Sequence, residues 1–372
     1  MTLVDQSLTP PEIEDRPRKA PFDREQAVEL GGAAISAAVL VWIPFHLAGW
    51  DAPFGAVLCW YVCFVAIFGM VVRQRRGMVE LKDQLASVAV WSGVAVALLA
   101  LFLLLYYVVI KGFKVALTGF PSFTFLRQDM RNFGPDDPYR DAGMKAAIIG
   151  SLEQVLAATF VTVPIGVLAA TYLNEIGGRV AAIVRTVTDA MTGLPTIIAG
   201  LFVYSAWVLP RHTAGSSGFA AAMALSVVML PTIVRTAEEV LRIVSNSLRE
   251  AALALGAPEW RVVLQVVIPT ARTGLVTASI LGVARAIGET APVFLTALGA
   301  TRTNWDLFRG PQADLPLQIY SLARSPSNAN NAVAWGGAMV LVVIILTLFT
   351  LARILGSGGA GRRSPFRIRR SS

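Results

Sequence analysis

The sequence predicts an all-α, polytopic membrane protein, and three observations support that prediction. Of 372 residues, 55% are apolar and 15% charged, with a mean hydropathy of +0.61. A soluble domain carries roughly 25% charged residues, so this chain lacks the polar surface to cover itself in water. The apolar residues also cluster into eight stretches of about 20 residues, the helical length that crosses a hydrocarbon core of roughly 30 Å. Finally, lysine and arginine fall mostly on one side of the alternation that those stretches create.

The first 29 residues are polar and Pro-rich without an apolar core, which predicts a disordered tail and no signal peptide. Spans follow at 30–50 and 53–72, joined by Trp50-Asp51-Ala52, an external turn with no basic residue. Cys59 and Cys63 lie four apart in the second span, stacked by one helical turn. Two cysteines exclude a disulfide framework and a four-thiolate metal site, so helix packing explains them. Arg73-Gln74-Arg75-Arg76 then marks an inside loop, and residues 30–84 read as a transmembrane hairpin with its basic cytoplasmic loop.

The third span is expected at 87–110 and the fourth at 146–173. Between them, 112–142 is external and holds Phe120-Pro-Ser-Phe-Thr-Phe125 and Asp136-Asp137-Pro138. Spans five to eight are expected at 186–209, 218–239, 273–298 and 332–352, with a second long external segment at 299–331. Segments of that length exceed a turn and serve either to cap the bundle or to contact a partner. The runs 56–72, 94–110 and 338–352 are uninterrupted, whereas the other spans carry Gly, Pro and charges suited to buried, kinked bundle helices. Both termini are expected inside, ending in a basic tail at 356–372, which places about two-thirds of the 32 basic residues on the inner side. The net charge of +8 follows from that bias and from contact with anionic lipid heads; no basic stripe interleaved with aromatics points to nucleic acid. His46 and His212 are far apart, which argues against a histidine-based site.

Between spans six and seven, the inner segment reads Ser247-Leu-Arg-Glu250-Ala251-Ala252-Leu-Ala-Leu-Gly256-Ala-Pro258-Glu-Trp260, continuing to Ile268-Pro269. Ala and Leu favour a helix through Leu255, Gly256 suits its left-handed end, and Pro258 suits the first turn of another. Pro269 is expected to stop that second helix before the next span. Trp260, Val263, Leu264 and Val267 would then form one apolar face ready to dock. This hairpin, 248–269, resembles the EAA…G…I-x-P coupling motif of ABC-transporter permeases. The resemblance implies that Glu250, Ala251, Ala252, Gly256 and Pro269 seat the chain on a cytoplasmic ATPase. The chain has no G-x-x-x-x-G-K-[ST] loop of its own. It is therefore expected to be a transport subunit with no catalytic residues, metal or bound cofactor, ATP-Mg being hydrolysed by a partner.

The seventh span carries Arg285 and, four residues on, Glu289, placed on one helix face. A central arginine costs at least about 2.5–3.5 kcal/mol to insert, so it persists when paired or when it lines a polar path. Two readings stand: a structural ion pair, or a planar cation that takes an oxyanion while Glu289 compensates its charge. Arg235, near the inner end of span six beside Glu238 and Glu239, is a second path candidate, although an arginine there also snorkels. Glu153 and Asp189 interrupt apolar runs without an assigned role.

Ala284-Arg-Ala-Ile-Gly-Glu-Thr-Ala-Pro292 resembles the signature of the PstA-type permeases of phosphate ABC transporters. Leu230-Pro-Thr-Ile-Val-Arg235-Thr-Ala-Glu238-Glu239 and Thr188-Asp189-Ala-Met-Thr-Gly193-Leu-Pro195 through Tyr204 are similar to the same family. The likeness covers about 85–355, a six-helix permease core preceded here by the extra two-helix hairpin. It implies phosphate import across a bacterial inner membrane, with Arg285 and Glu289 linked to transport. The implied partners are a PstC-type second permease, a PstB-type ATPase dimer and an extracytoplasmic PstS-type phosphate-binding protein. Two other functions share these features: a permease for molybdate or sulfate, and a scaffold or sensor of phosphate status that moves no substrate.

Overall fold

The computed structural model describes residues 24–49, 52–118, 120, 122–131 and 133–357. Most of the polar N-terminal tail, the Trp50-Asp51 turn and the arginines of the C-terminal tail lie outside the described residues. The chain divides into two compact units, Met1–Leu103 and Leu104–Ser372.

The first unit contains α1 (Arg24–Leu47) and most of α2 (Pro53–Ala116). Helix α1 starts inside the segment read as a tail. Its Glu29 carboxylate is buried and held by Arg75 at 3.4 Å and Arg76 at 3.2 Å. Those arginines were expected in a loop, but they are helical, and the loop shrinks to one residue. Gly77 has φ 87° and ψ −176°, backbone that an L side chain would clash with, and it interrupts α2. The chain reverses there. The Tyr61 hydroxyl donates to Ser92 Oγ at 3.0 Å, although a straight helix would hold those residues roughly 45 Å apart. Phe64, Phe68 and Val72 of the first arm pack against Leu81 and Val88 of the second. Trp60 Nε1 donates to the Ala34 carbonyl at 3.0 Å and joins α1 to the hairpin.

The second unit begins with the end of α2 and continues through α3 (Thr124–Arg127) to α4 (Lys145–Glu175). Next come α5 (Gly178–Thr192) and α6 (Thr196–Val203), then a π-turn at Tyr204–Val208 and a 3-10 turn at Leu209–Ala214. Helix α7 (Gly218–Ile243) leads into α8 (Asn246–Ala254) and α9 (Glu259–Val262). The chain ends with α10 (Ile268–Ala286), α11 (Ala291–Thr296), α12 (Leu315–Ala323) and α13 (Asn328–Ser357). Helix α7 is the centre of this unit, with 67% of its apolar window buried against 28% for α4, α10 and α13. Its Ile233 sits between Gly166 of α4 and Gly282 of α10, where small residues let the helices approach.

Six described helices are long and apolar enough to cross a membrane, and the bent pair α5–α6 makes seven. Counting the two arms of α2 separately restores eight. Three expectations about these spans need correction. The fifth is bent by 105° at Gly193-Leu194-Pro195. The seventh is broken after Ala286, and α11 begins only at Ala291. Pro269, expected to stop a helix, lies inside a continuous one that runs from Glu259 to Ala286. A π-turn at Val263–Val267 widens the helix just before it, where the proline ring needs room and its missing N–H leaves the ladder interrupted.

The external segments cover the end of the bundle. Phe125, Met130, Ala142 and Met144 share a buried cluster with Leu315, Leu322 and Val333. Strand-like backbone at 312–314 runs between α4 and the start of α7, close enough that the Ala313 carbonyl fills the space beside Gly150.

Candidate functional site

Arg285 occupies the last turn of α10, where the negative end of the helix dipole favours a cation. Its side chain is 49% exposed in a small cavity lined by Thr192, Leu194, Pro195 and Thr196 from the α5–α6 bend and by Pro231 and Thr232 of α7. The two interrupted spans therefore meet at one arginine. Beyond the bend and the break, their continuations pack together: Gly200 of α6 lies so close to Pro292 of α11 that a methyl group would sit 2.6 Å from the proline Cα. Non-helical backbone at membrane depth is tolerated where it is buried in protein or lines a cavity, and discontinuous helices are typical of transporter binding sites.

The sequence expectation placed Glu289 one helical turn beyond Arg285. Glu289 instead lies in the break, its N–H donating to the Ala286 carbonyl at 3.0 Å. The carboxylate still faces the guanidinium, 3.8 Å from Nε, outside hydrogen-bonding distance. Arg285 Nη1 donates to Thr232 Oγ1 at 3.4 Å. The guanidinium is thus loosely held.

Arg235, one turn along α7 from Thr232, has different surroundings. It forms ion pairs with Asp189 of α5 and, at 3.6 Å, with Glu238. Glu238 is 2% exposed and also accepts from Arg185 Nε at 2.8 Å and Arg242 Nη2 at 3.1 Å. Arg185 in turn donates to the Leu173 carbonyl of α4 at 2.7 Å. This lattice ties α4, α5 and α7 together. The spacing of Arg235, Glu238 and Arg242 could have indicated part of it, whereas nothing in the sequence points to Arg185.

In the hairpin, Ser245 caps α8 by accepting from the Ser247 N–H at 3.3 Å. Gly256 takes φ +80° as its position predicts, and the Ala257 N–H returns to the Ala252 carbonyl at 3.2 Å. Glu250, Ala251 and Gly256 are exposed at the tip, and Ala252 packs against a buried cluster that includes Leu241 and Val262. The expected docking face is corrected: Val267 is buried in that cluster, and the exposed large apolar side chains are Leu248, Leu253, Leu255, Trp260 and Leu264. Helical position alone could not tell which face the bundle would take.

At the opposite end of α4, a polar cluster joins the helix to the external segment. Ser151 Oγ donates to Asp314 Oδ1 at 2.6 Å and accepts from the Leu315 N–H at 2.7 Å. Gln154 Nε2 donates to Gln312 Oε1 and to the Ala313 carbonyl, and Gln312 Nε2 donates to Glu153. Asp314 also caps α12 by accepting from the Leu317 N–H. Burial pushes its carboxyl up from 3.8 to about 6, against the lowering effect of those hydrogen bonds. Among the described residues, no group of three or more His, Cys, Asp or Glu side chains is placed to hold a metal ion.

The family described as "binding-protein-dependent transport system inner membrane component" matches residues 162–358, more than half of the chain. The phosphate transport system permease protein PstA 1 of Mycobacterium tuberculosis is 36% identical over 288 residues, covering 76% of this chain and 91% of that protein. PstA of Pasteurella multocida is 37% identical over 258 residues, covering 69% and 90%. PstA of Haemophilus influenzae is 39% identical over 244 residues, covering 65% and 84%.

Proposed function

Because the chain belongs to the PstA family of phosphate transport permeases, among the binding-protein-dependent inner-membrane transport components, we propose that it forms half of a phosphate path whose anion site is Arg285. The observation that supports this most is the convergence of two interrupted spans on that half-exposed guanidinium. Arg285 is a permanent, planar cation suited to an oxyanion. Its links to Glu289 and Thr232 are long, so donors remain for a substrate. Glu289 balances the charge once phosphate leaves, which keeps the hold weak enough for release.

The second half of the path is a PstC-type permease. A PstS-type binding protein delivers phosphate outside, and a PstB-type ATPase dimer binds and hydrolyses ATP-Mg inside, in a bacterial inner membrane. Closure of the ATPases moves hairpin 248–269, on which Glu250, Ala251, Ala252 and Gly256 make the contact. Pro269 helps to carry the movement into α10, and the path alternates between outward and inward access. Arg235 lies one turn further inward along α7 and forms the next station, made available when its carboxylate partners move.

The test is labelled-phosphate uptake at low external phosphate in cells that lack this chain, with and without its restoration. Restored uptake is the expected result. Uptake indifferent to the chain, with other phosphate transporters absent, would transfer the assignment to molybdate or sulfate if either is moved, and to a sensor if neither is.

A further inference from the structure

Besides the apolar packing of Ala252, Val262 and Val267, one polar side chain of the hairpin ties it to the bundle. Arg249, on the first turns of α8, is 17% exposed, and all five of its N–H groups are engaged. Nε and Nη2 grip Glu175, the last residue of α4, at 3.1 and 2.8 Å as a two-pronged ion pair. Nη2 also donates to the Leu241 carbonyl at 3.2 Å, and Nη1 donates to the Val244 carbonyl at 2.6 Å, both at the C-terminal end of α7. The remaining N–H reaches Asn246 Oδ1 at 3.1 Å. The Glu175 carboxylate is only 11% exposed, so both charges depend on this pairing.

The two helices held by Arg249 are those that reach the far end of the unit. Helix α4 runs 31 residues from Glu175 back to Lys145, and its outer turns carry Ser151 and Gln154, bonded to the 312–314 segment. Helix α7 begins at Gly218, which lies against Gln312. A displacement of α8 that moves Arg249 must therefore move α4 and α7 together. We propose that Arg249 is the positioning residue that converts movement of the coupling hairpin into movement of α4 and α7, with Glu175 as its partner. This rests on the hairpin's role as the ATPase contact. The tip residues make that contact, whereas Arg249, half-buried behind them, transmits it.

The experiment uses the full transporter in proteoliposomes: this chain, its partner permease, the ATPase dimer and phosphate-loaded binding protein. ATP hydrolysis and phosphate uptake are measured together for wild type, Arg249→Lys, Arg249→Ala and the reversal Arg249→Glu with Glu175→Arg. Lysine keeps the charge but lacks the five-donor fork. The expected result is assembled complexes that still hydrolyse ATP, with phosphate moved per ATP reduced about ten-fold or more in both single variants and partly regained in the reversal. Unchanged uptake per ATP in Arg249→Ala overturns the proposal. Hydrolysis and uptake falling in parallel also overturn it, because Arg249 would then only hold the docking site in shape. A wild-type complex that hydrolyses ATP without moving phosphate refutes the substrate assignment instead. In that case, loss of binding-protein stimulation of hydrolysis in the two single variants supports the Arg249 proposal, and its retention overturns it.

Discussion

Replacing Arg285 by Gln separates an anion site from a structural ion pair, because the structure gives the two roles different magnitudes. At 3.8 Å, two unit charges interact by about 1 kcal/mol in water and about 4 kcal/mol at an effective dielectric of 20. Arg285 is half exposed to its cavity and the nitrogen–oxygen distance exceeds a hydrogen bond, so the pair contributes only about 0–1 kcal/mol to stability. Loss of the arginine should therefore shift the melting midpoint of the detergent-solubilised protein by no more than about 3 °C. A charged hydrogen bond to a passing anion is worth about 1.5–3 kcal/mol, or roughly 10- to 150-fold in uptake rate. The expected outcome is a normally inserted Arg285→Gln protein, close to wild type in melting, with uptake of labelled phosphate reduced by that factor. Arg285→Lys keeps the charge without the fork and should fall between the two. Wild-type uptake by Arg285→Gln would overturn the anion-site assignment of Arg285. So would a fall of ten degrees in melting with uptake per folded protein unchanged, which would make the pair structural after all.

Three further perturbations test the surrounding architecture. Gly200→Ala puts a methyl 2.6 Å from the Pro292 Cα; overpacking of that kind costs about 1–3 kcal/mol, and both melting midpoint and uptake should drop, whereas no change in either would contradict the α6–α11 contact. Gly77→Ala forces an L residue to φ 87°, a strain of about 1–3 kcal/mol, and trypsin should then cut at Arg73–Arg76 faster than in wild type. For Asp314, the folded carboxyl titrates near 6 and the unfolded one at its ordinary 3.8. Between those values the folded state holds a proton that the unfolded chain has released, so stability falls by about 3 kcal/mol as pH rises from 4 to 6 and is level above. Melting midpoints measured against pH should show that slope in wild type and lack it in Asp314→Asn.

The number of helices was legible in the sequence, because a run of apolar residues fixes a span wherever it packs. The breaks were only half legible. Gly and Pro within a span suit kinks, and the pairs at 193/195 and 288/292 do interrupt theirs. Pro164 and Pro231 lie within unbroken helices, as do Pro44 and Pro269. The difference lies in the preceding residues. Gly193 and Gly288 precede their prolines by two and four positions, whereas Pro44, Pro164, Pro231 and Pro269 have no glycine among the four residues before them. One lost hydrogen bond bends a packed helix; a glycine beside it allows the chain to leave. The ion lattice was less legible still. Arg185 and Glu238 are 53 residues apart, and Arg249 and Glu175 are 74 apart, so only the packing of α4 and α5 on α7 brings them together.

That packing also explains why Arg285 of α10 and Arg235 of α7, one turn beyond the Thr232 that Arg285 touches, are not equivalent. Arg235 already bridges Asp189 and Glu238, and Glu238 is shared with Arg185 and Arg242. An anion arriving at Arg235 would have to displace a carboxylate, so in this conformation the lattice repels phosphate more than it attracts it. Arg285 faces one carboxylate beyond hydrogen-bonding range and one hydroxyl at the limit of it. On the proposed path, this asymmetry would give a direction: phosphate would be held at Arg285 while Arg235 is occupied, and would pass inward once Asp189 withdraws. Asp189 lies on α5 just before the 105° bend, and α5 is tied through Arg185 to the Leu173 carbonyl, two residues from the Glu175 that Arg249 grips. The contacts that keep Arg235 occupied are therefore reached from the same end of α4 as the coupling hairpin. On the proposed path, release of the inner station and movement of the hairpin would therefore be coupled through that end of α4.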